Sequence, residues 1–169
     1  MNRARWFAIV VALQVLFLLG WAAYHERERA SATVVLLETV PVDPRDLLRG
    51  DYMILGYKIG RVPAPAGPGT KEYGTPIWVT LRPNGRFHEV ADASWAEPEH
   101  PAAGGIVVRG RVISRPTEAT LRVEYGIEKY FVPEGKGSPR FREMVVEATV
   151  TASRRLAIRR VLIDGAAYP

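Results

Sequence analysis

An uncharged apolar run close to the start of the sequence constrains the fold more than any other feature. Trp6–Tyr24 contains no charged residue, and Gln14 interrupts it with one neutral amide. About twenty such residues are what an α-helix needs to cross roughly 30 Å of hydrocarbon. Arg3 and Arg5 precede the run, whereas the charges at 26–29 sum to zero. The positive-inside rule therefore predicts a single-pass inner (cytoplasmic) membrane protein with its N-terminus in the cytoplasm.

This placement divides the chain into three predicted parts. Residues 1–24 form the transmembrane anchor, 25–31 a charged stalk, and 32–169 an extracytoplasmic, periplasmic β-domain. The alternative is a cleaved signal peptide, because Ala30-Ser31-Ala32 resembles a small-residue cleavage site. That site lies about ten residues beyond the apolar run and behind four charges, further than such signals usually place it. The spacing favours a retained anchor.

Composition narrows the classes of function. The net charge of +5 is moderate, and the basic residues are dispersed and form no long block, so we expect no nucleic-acid partner. The absence of cysteine excludes disulfides and thiolate metal sites. His25, His88 and His100 lack the i, i+4 spacing of paired metal ligands. We expect no metal and no cofactor.

Beyond the stalk, the pattern predicts short strands separated by turns rich in proline and glycine. Asn84-Gly85 is the strongest hairpin signal, since both residues accept a positive φ. We expect surface loops at 61–75 and 94–105, and a short helix near 127–131. About eight strands predict a mainly β fold, an antiparallel barrel or sandwich. The predicted strands are 32–40, 51–59, 77–82, 86–91, 106–114, 119–125, 144–151 and 156–163.

Alternation within two of these strands predicts which side chains face the core. In 51–59, one face is continuously apolar and carries Met53, Leu55, Tyr57 and Ile59. In 106–114, Arg109 and Arg111 share a face, and the opposite face has no arginine. In 156–163, alternation predicts that Arg159 and Arg160 point to opposite sides.

The strand at 51–59 also carries a resemblance to a known family. Gly50-Asp51-Tyr52-Met53-Ile54-Leu55-Gly56-Tyr57 is similar to the motif of the GDYXXLXY family of bacterial membrane-anchored proteins, whose five specified positions are Gly50, Asp51, Tyr52, Leu55 and Tyr57. Residues 125–135, Y-G-I-E-K-Y-F-V-P-E-G, resemble its second recurring segment. We expect the resemblance to cover residues 30–165. It implies a small partner of a multi-pass membrane protein, and it brings no assigned activity.

The first candidate site is the charged turn before the motif strand. Gly50 suits a positive φ, and Asp51 is expected to cap backbone amides there. The functional alternative is that Arg45 and Arg49 contact a partner. Tyr52 and Tyr57 are expected to pack in the core with hydrogen-bonded hydroxyls.

The second candidate site is the irregular segment after residue 124. Its aromatic and charged side chains predict either a partner-binding surface or a lid over the open end of a barrel. The candidate binding residues are Glu128, Lys129, Tyr130, Phe131 and Glu134.

The favoured interpretation is a non-catalytic, membrane-anchored binding or accessory subunit of a membrane complex, with lipid and a multi-pass membrane protein or other membrane subunit as partners. Signal-peptidase and repressor-type serine peptidases resemble this chain broadly, but laying Gly50-Asp51 on their motif puts Val42 at the nucleophile, which valine cannot be. No catalytic residue is therefore assigned.

Two alternatives remain open. One is a hydrolase or ligand-processing enzyme that brings Asp51 together with Lys129, whose pKa would fall if it were desolvated. The other is a binder of envelope polymers or of the membrane surface that uses clustered arginines. The arginines in question are Arg109, Arg111, Arg154, Arg155, Arg159 and Arg160.

Overall fold

The structure is a computed structural model. It describes residues 3–30, 33–40, 52–66, 72–101, 104–114, 119–132 and 141–168. The chain separates into two compact units, Met1–Ala32 and Thr33–Pro169. Within the described residues, the first contains a single α-helix and the second is built mainly of strands.

The helix, α1, spans Arg3–Ala30. Its segment Trp6–Tyr24 is long and apolar enough to cross a membrane, and none of it is buried within the protein. Phe7 and Leu16, for example, are 72% and 65% exposed. The helix does not end with the apolar run, since it continues through most of the predicted stalk as far as Ala30.

Twelve strands form the second unit within the described residues, more than the eight expected. They are β1 (Thr33–Val40), β2 (Tyr52–Ile54), β3 (Gly56–Tyr57), β4 (Arg61–Pro63), β5 (Pro76–Asn84), β6 (Phe87–Ser94), β7 (Ile106–Val112), β8 (Thr120–Glu124), β9 (Lys129–Phe131), β10 (Met144–Val150), β11 (Leu156–Ile163) and β12 (Ala166–Tyr168).

The strands pair antiparallel throughout the described residues and form a nearly closed, barrel-like sheet. One five-stranded section has the order β12-β11-β10-β1-β3, a second has the order β4-β8-β7-β5-β6, and β2 pairs with β9. The mainly β, antiparallel prediction is confirmed. Closing a sheet in this way protects strand edges that would otherwise be open to intermolecular pairing.

One side chain links the two five-stranded sections. The backbone N–H of Leu36 in β1 donates to Nδ1 of His88 in β6 at 3.2 Å. On the side of β1 that faces β6, no described strand pairs with Leu36. The imidazole therefore accepts this N–H in place of a backbone carbonyl.

The core lies inside this sheet and is made of alternating strand residues. Leu37, Ile77, Leu81 and Leu121 are fully buried. Burying each such side chain contributes about 1.5–3 kcal/mol. In β7 the predicted faces are observed, because Arg109 and Arg111 are exposed while their neighbours Val108, Gly110 and Val112 are buried.

The motif strand departs from the prediction in its continuity. Instead of one strand over 51–59, β2 pairs with β9, β3 pairs with β1, and Lys58–Gly60 forms a 3₁₀ turn. The chain changes partner at Leu55, so no single ladder covers the segment. The predicted loop at 61–75 is also partly wrong, since β4 pairs with β8 and buries Val62.

Turn chemistry accounts for two further corrections. Asn84 pairs with Phe87, so the hairpin turn is Gly85-Arg86 and not Asn84-Gly85. Gly85 has a φ of +58°, as glycine has at the first central position of a type II′ turn. The turn Asp164-Gly165 leads into β12, a strand that the pattern did not predict.

Two other elements differ from the predictions. The segment expected as a short helix near 127–131 contains strand β9, which pairs with β2. In β11 the register shifts, so that Glu147 pairs with Arg160 and Ala148 with Ile158. The extra residue, Arg159, breaks strict alternation, and both Arg159 and Arg160 are exposed.

Candidate functional site

The two motif segments meet in the folded domain. The predicted core face of the first is buried, with Met53, Leu55, Tyr57 and Ile59 each no more than 5% exposed. The N–H of Leu55 donates to the carbonyl of Glu128 in the second segment at 2.8 Å. A backbone bond thus joins the segments where the ladder between β2 and β9 ends.

Two buried tyrosines join the same segments reciprocally. The hydroxyl of Tyr57, in the first segment, donates to the carbonyl of Ile127 in the second at 2.7 Å. The hydroxyl of Tyr125, in the second, donates to the carbonyl of Ile59 in the first at 2.8 Å. Each hydroxyl provides a hydrogen bond to a carbonyl that no strand ladder pairs, and each ring packs in the core.

The carboxylate of Glu128 adds two more hydrogen bonds to this arrangement. It accepts the N–H of Tyr125 at 2.6 Å and the N–H of Gly126 at 2.9 Å, one on each oxygen. Gly126 has a φ of +85°, a conformation that side chains resist. We call the set Tyr57, Ile59, Tyr125, Ile127 and Glu128 the tyrosine lock. Glu128 was a candidate binding residue, and its carboxylate is engaged inside the chain.

The environment of the lock keeps both hydroxyls protonated. Burial raises the pKa of Tyr57 well above its usual value, and the nearby charge of Glu128 raises it further. The same two causes act in the same order on the pKa of Tyr125. A phenolate has no proton to donate to a carbonyl, so these shifts agree with the hydrogen bonds observed.

The remaining candidates divide between surface positions and undescribed ones. Phe131 is 78% exposed, and Lys129 is also exposed. Tyr130 is half-buried, with its hydroxyl donating to the carbonyl of Tyr168 at 3.4 Å. Tyr52 is described by its backbone in β2. Arg45, Arg49, Gly50, Asp51 and Glu134 lie outside the described residues.

The enzymatic alternative is not tested by these positions, because Asp51 lies outside the described residues. An exposed Lys129 is not the desolvated lysine that a general base requires. Among the described residues, no three side chains of His, Cys, Asp or Glu come close enough to hold a metal ion. The absence of a catalytic role, a metal and a cofactor stays a prediction.

Apart from the two candidate sites of the sequence analysis, an open groove of about 450 Å³ lies on the outer surface of the same domain. We call it the arginine groove. It lies where β5, β7 and β8 approach the connection between β10 and β11, and the N–H of Arg109 donates to the carbonyl of Arg154 there at 2.7 Å. The lining residues are Gly74, Pro76, Arg109, Gly110, Arg111, Glu124, Tyr125, Gly126, Arg155 and Leu156.

The arginines named in the sequence analysis fall into three groups. Arg154 pairs with Glu97 at 3.4 Å, and Arg160 pairs with Glu147 at 2.8 Å. Arg109, Arg111 and Arg155 line the groove, and none of them forms an ion pair with any described residue. Arg159 is exposed in β11 and is not among the residues that line the groove.

Sequence reasoning did not find two of these features. His88 links β1 with β6, but its partner lies 52 residues away, so no local pattern reveals the contact. Trp78 lies under the guanidinium of Arg109, 5.6 Å from carbon Cζ to the ring centroid. The register of β5 with β7 places these residues opposite each other, and that register depends on tertiary pairing.

The fold and these sites define a class: a protein with one apolar helix long enough to span a membrane and an antiparallel, barrel-like β-domain. Within that class, the model of the family described as GDYXXLXY protein matches residues 14–169, so this chain belongs to the GDYXXLXY family. The match extends further in both directions than the predicted 30–165. No curated protein and no solved structure matches the chain.

Proposed function

We propose that this chain is a single-pass inner-membrane protein whose β-domain lies outside the cytoplasm and acts, without catalysis, as a binding or accessory subunit of a membrane complex. The apolar surface of α1 supports the anchor, because Trp6–Tyr24 is exposed on every side and is stable only in an apolar surrounding. Arg3 ahead of the apolar segment supports the N-in orientation.

One observation carries the accessory role: the ribbon of β2 and β9 exposes apolar side chains beside the tyrosine lock. Ile54 is 37% and Phe131 78% exposed, while Met53 on the opposite face is 4% exposed. Aromatic side chains on a rigid scaffold supply most of the affinity of protein interfaces. The tyrosine lock holds this ribbon to the core, so Phe131 is presented without a large ordering cost.

Site-specific crosslinking tests this proposal. A photoreactive amino acid replaces Phe131 in the full chain, expressed at native level in its own membrane, and crosslinked neighbours are identified by mass spectrometry. Tyr73 is a matched control, since it is also 78% exposed and belongs to the connection between β4 and β5, not to the ribbon. We expect a membrane protein at position 131 and not at position 73. Equal yields at the two positions, or a chain recovered alone, would refute the accessory role.

The orientation has a separate test. Alkaline phosphatase fused after residue 169 is active only when it is exported from the cytoplasm. We expect active fusions, and activity of a cytoplasmic reporter at the same position would overturn the predicted placement of the β-domain.

A further inference from the structure

The arginine groove carries positive charge that no ion pair with a described residue neutralises. Arg109 and Arg111 are both exposed on β7, and Arg155 approaches from the connection between β10 and β11. Glu124, in β8, is the one acidic side chain among the groove residues. It pairs in register with Arg111, yet no hydrogen bond or ion pair joins them within the described part of the chain.

The positive surface continues beyond the groove. Arg122 lies on the same exposed face of β8 as Glu124. The register of β4 with β8 places Arg61 directly opposite Arg122. Like charges directly across a ladder destabilise a sheet, and they also raise the local potential that attracts anions. An arrangement of this kind is better explained by a ligand than by folding stability.

The groove also holds one arginine ready for a ligand. The guanidinium of Arg109 lies over the ring of Trp78, with Cζ 5.6 Å from the ring centroid, a cation–π contact in which the guanidinium N–H groups have no hydrogen-bond acceptor among the described residues. Those N–H groups form the planar fork that binds two oxygens of one anion. The contact with Trp78 restricts the side chain of Arg109 before an anion binds, so less conformational entropy is lost on binding.

Charge and shape together indicate the class of ligand. A single carboxylate is satisfied by one guanidinium, whereas a phosphate monoester offers more charge and three unesterified acceptor oxygens, and a diester adds its ester oxygens to two unesterified ones. Three arginines suit phosphate better. The groove volume of about 450 Å³ exceeds a phosphate group, and Pro76 and Leu156 supply apolar surface for an organic part.

We propose that the arginine groove binds a phosphate ester, with the phosphate oxygens held by Arg109, Arg111 and Arg155. The source is either the headgroup of a phospholipid or a soluble phosphate ester, and the chemistry of recognition is the same. Glu124 weakens the attraction of the groove for anions, and most for the anion of highest charge. This site is separate from the ribbon of β2 and β9. The proposal of a phosphate site can therefore be refuted without affecting the accessory role, and the reverse also holds.

Calorimetric titration of the full chain in a neutral maltoside detergent tests the proposal. The probes are inorganic phosphate, glycerol 1-phosphate, and glycerophosphoglycerol, which is a deacylated phospholipid headgroup. We expect binding that weakens with salt. Tightest binding of the diester glycerophosphoglycerol identifies a lipid headgroup, and tightest binding of glycerol 1-phosphate identifies a soluble ester. No binding of any probe would overturn the proposal.

Variants separate a built site from general attraction. The double variant Arg109→Gln/Arg111→Gln should lose affinity about tenfold or more, since each removes charge-assisted hydrogen bonds. Arg159→Gln is the matched control, an exposed arginine outside the groove, and it should bind as the unaltered chain does. Equal losses in both variants would show non-specific attraction and contradict the proposal.

Glu124→Gln provides a second, independent readout. Removing this negative charge should tighten binding several-fold, more for glycerol 1-phosphate than for glycerophosphoglycerol, because the monoester carries more charge. A purely structural role of Glu124 predicts no change or a loss, and either result would contradict its place in the site.

Discussion

The tyrosine lock and the arginine groove meet at the end of β8, yet they treat their polar groups in opposite ways. In the lock, Tyr57 and Tyr125 are buried, and each hydroxyl donates to a carbonyl of the other motif segment. In the groove, Arg109 and Arg111 are exposed and unpaired within the described residues. Tyr125 belongs to both, since it also lines the groove.

We interpret the tyrosine lock as part of the architecture of the domain and the arginine groove as a surface for recognition. A buried polar group must find a partner in the protein, because leaving it unsatisfied costs about 1–3 kcal/mol. An exposed charge is solvated without a protein partner, so its position is free to suit a ligand. In the described part of the motif, the buried residues Leu55 and Tyr57 therefore contribute to the stability of the domain, whereas the contacts that we propose with partners and ligands are made by exposed residues.

Removing the hydroxyls of the lock should have the largest effect on stability. In the double variant Tyr57→Phe/Tyr125→Phe, two buried carbonyls lose their donors, and we expect a loss of about 1–3 kcal/mol for each. The measurement is chemical unfolding of the full chain in detergent, followed by circular dichroism of the strands.

Tyr73→Phe controls for the chemical change, since Tyr73 is 78% exposed and should alter stability by less than about 0.5 kcal/mol. The pH dependence adds a second check. Because the pKa values of Tyr57 and Tyr125 are raised in the folded state, their stabilisation is complete below the ordinary tyrosine pKa of about 10 and is lost as pH rises further. If the double variant had unchanged stability and an unchanged alkaline transition, the two hydroxyl hydrogen bonds would not stabilise the domain.

The backbone between the groove arginines should be the next most sensitive point. In Gly110→Ala, the added Cβ would lie 2.3 Å from Cγ1 of Val123, a buried side chain, and 3.2 Å from the carbonyl oxygen of Glu124. Overpacking of this kind costs about 1–3 kcal/mol. Thermal unfolding of the full chain measures it.

Gly60→Ala is the matched control for Gly110→Ala. Its Cβ would meet the carbonyl oxygen of the same Val123 at 3.5 Å, an ordinary contact. We expect a clearly smaller change. If the two alanine variants were equally stable, β7 and β8 would not approach as closely as described.

A smaller effect is expected at the turn between β11 and β12. Oδ1 of Asp164 accepts the N–H of Glu143 at 2.9 Å and the N–H of Arg142 at 3.0 Å. These bonds lower the pKa of the Asp164 carboxyl. Since the folded pKa lies below the unfolded one, the stabilisation is present above the ordinary carboxyl pKa and is lost as pH falls through the lowered value.

Asp164→Asn should therefore reduce the acid dependence of stability and leave the turn intact. Asparagine tolerates the positive φ of +50° at this position. Unfolding free energies compared between about pH 3 and pH 6 give the difference. An unchanged pH profile in the variant would mean that the carboxylate charge does not contribute.

Arg111 in the groove should have the smallest effect on stability. We expect Arg111→Gln to change the free energy of unfolding by less than about 0.5 kcal/mol, because its side chain forms no ion pair with a described residue. Arg109 stays unaltered in this comparison, because its contact with Trp78 adds stability of its own. Arg160→Gln, which breaks a pair with Glu147, should cost about 0.2–1 kcal/mol. A loss larger at Arg111 than at Arg160 would make the groove structural and end the contrast with the lock.

Local patterns were sufficient for much of this fold. The uncharged run Trp6–Tyr24 predicted the helix by length and composition alone. Alternation predicted the buried face that includes Leu55 and Tyr57, and the exposed face of Arg109 and Arg111, because strand side chains point to opposite sides in turn. These predictions depend on neighbouring residues, and a sequence contains that information directly.

The tertiary structure decided where partners are far apart in the chain. It split the strand at 51–59, because β2 and β3 pair with different strands, and it made a strand of the expected helix near 127–131. It also brought Tyr57 to Ile127 and Arg155 to Arg109 and Arg111. Strand register and sheet closure set these contacts, and both depend on the packing of the whole domain, which no local pattern specifies.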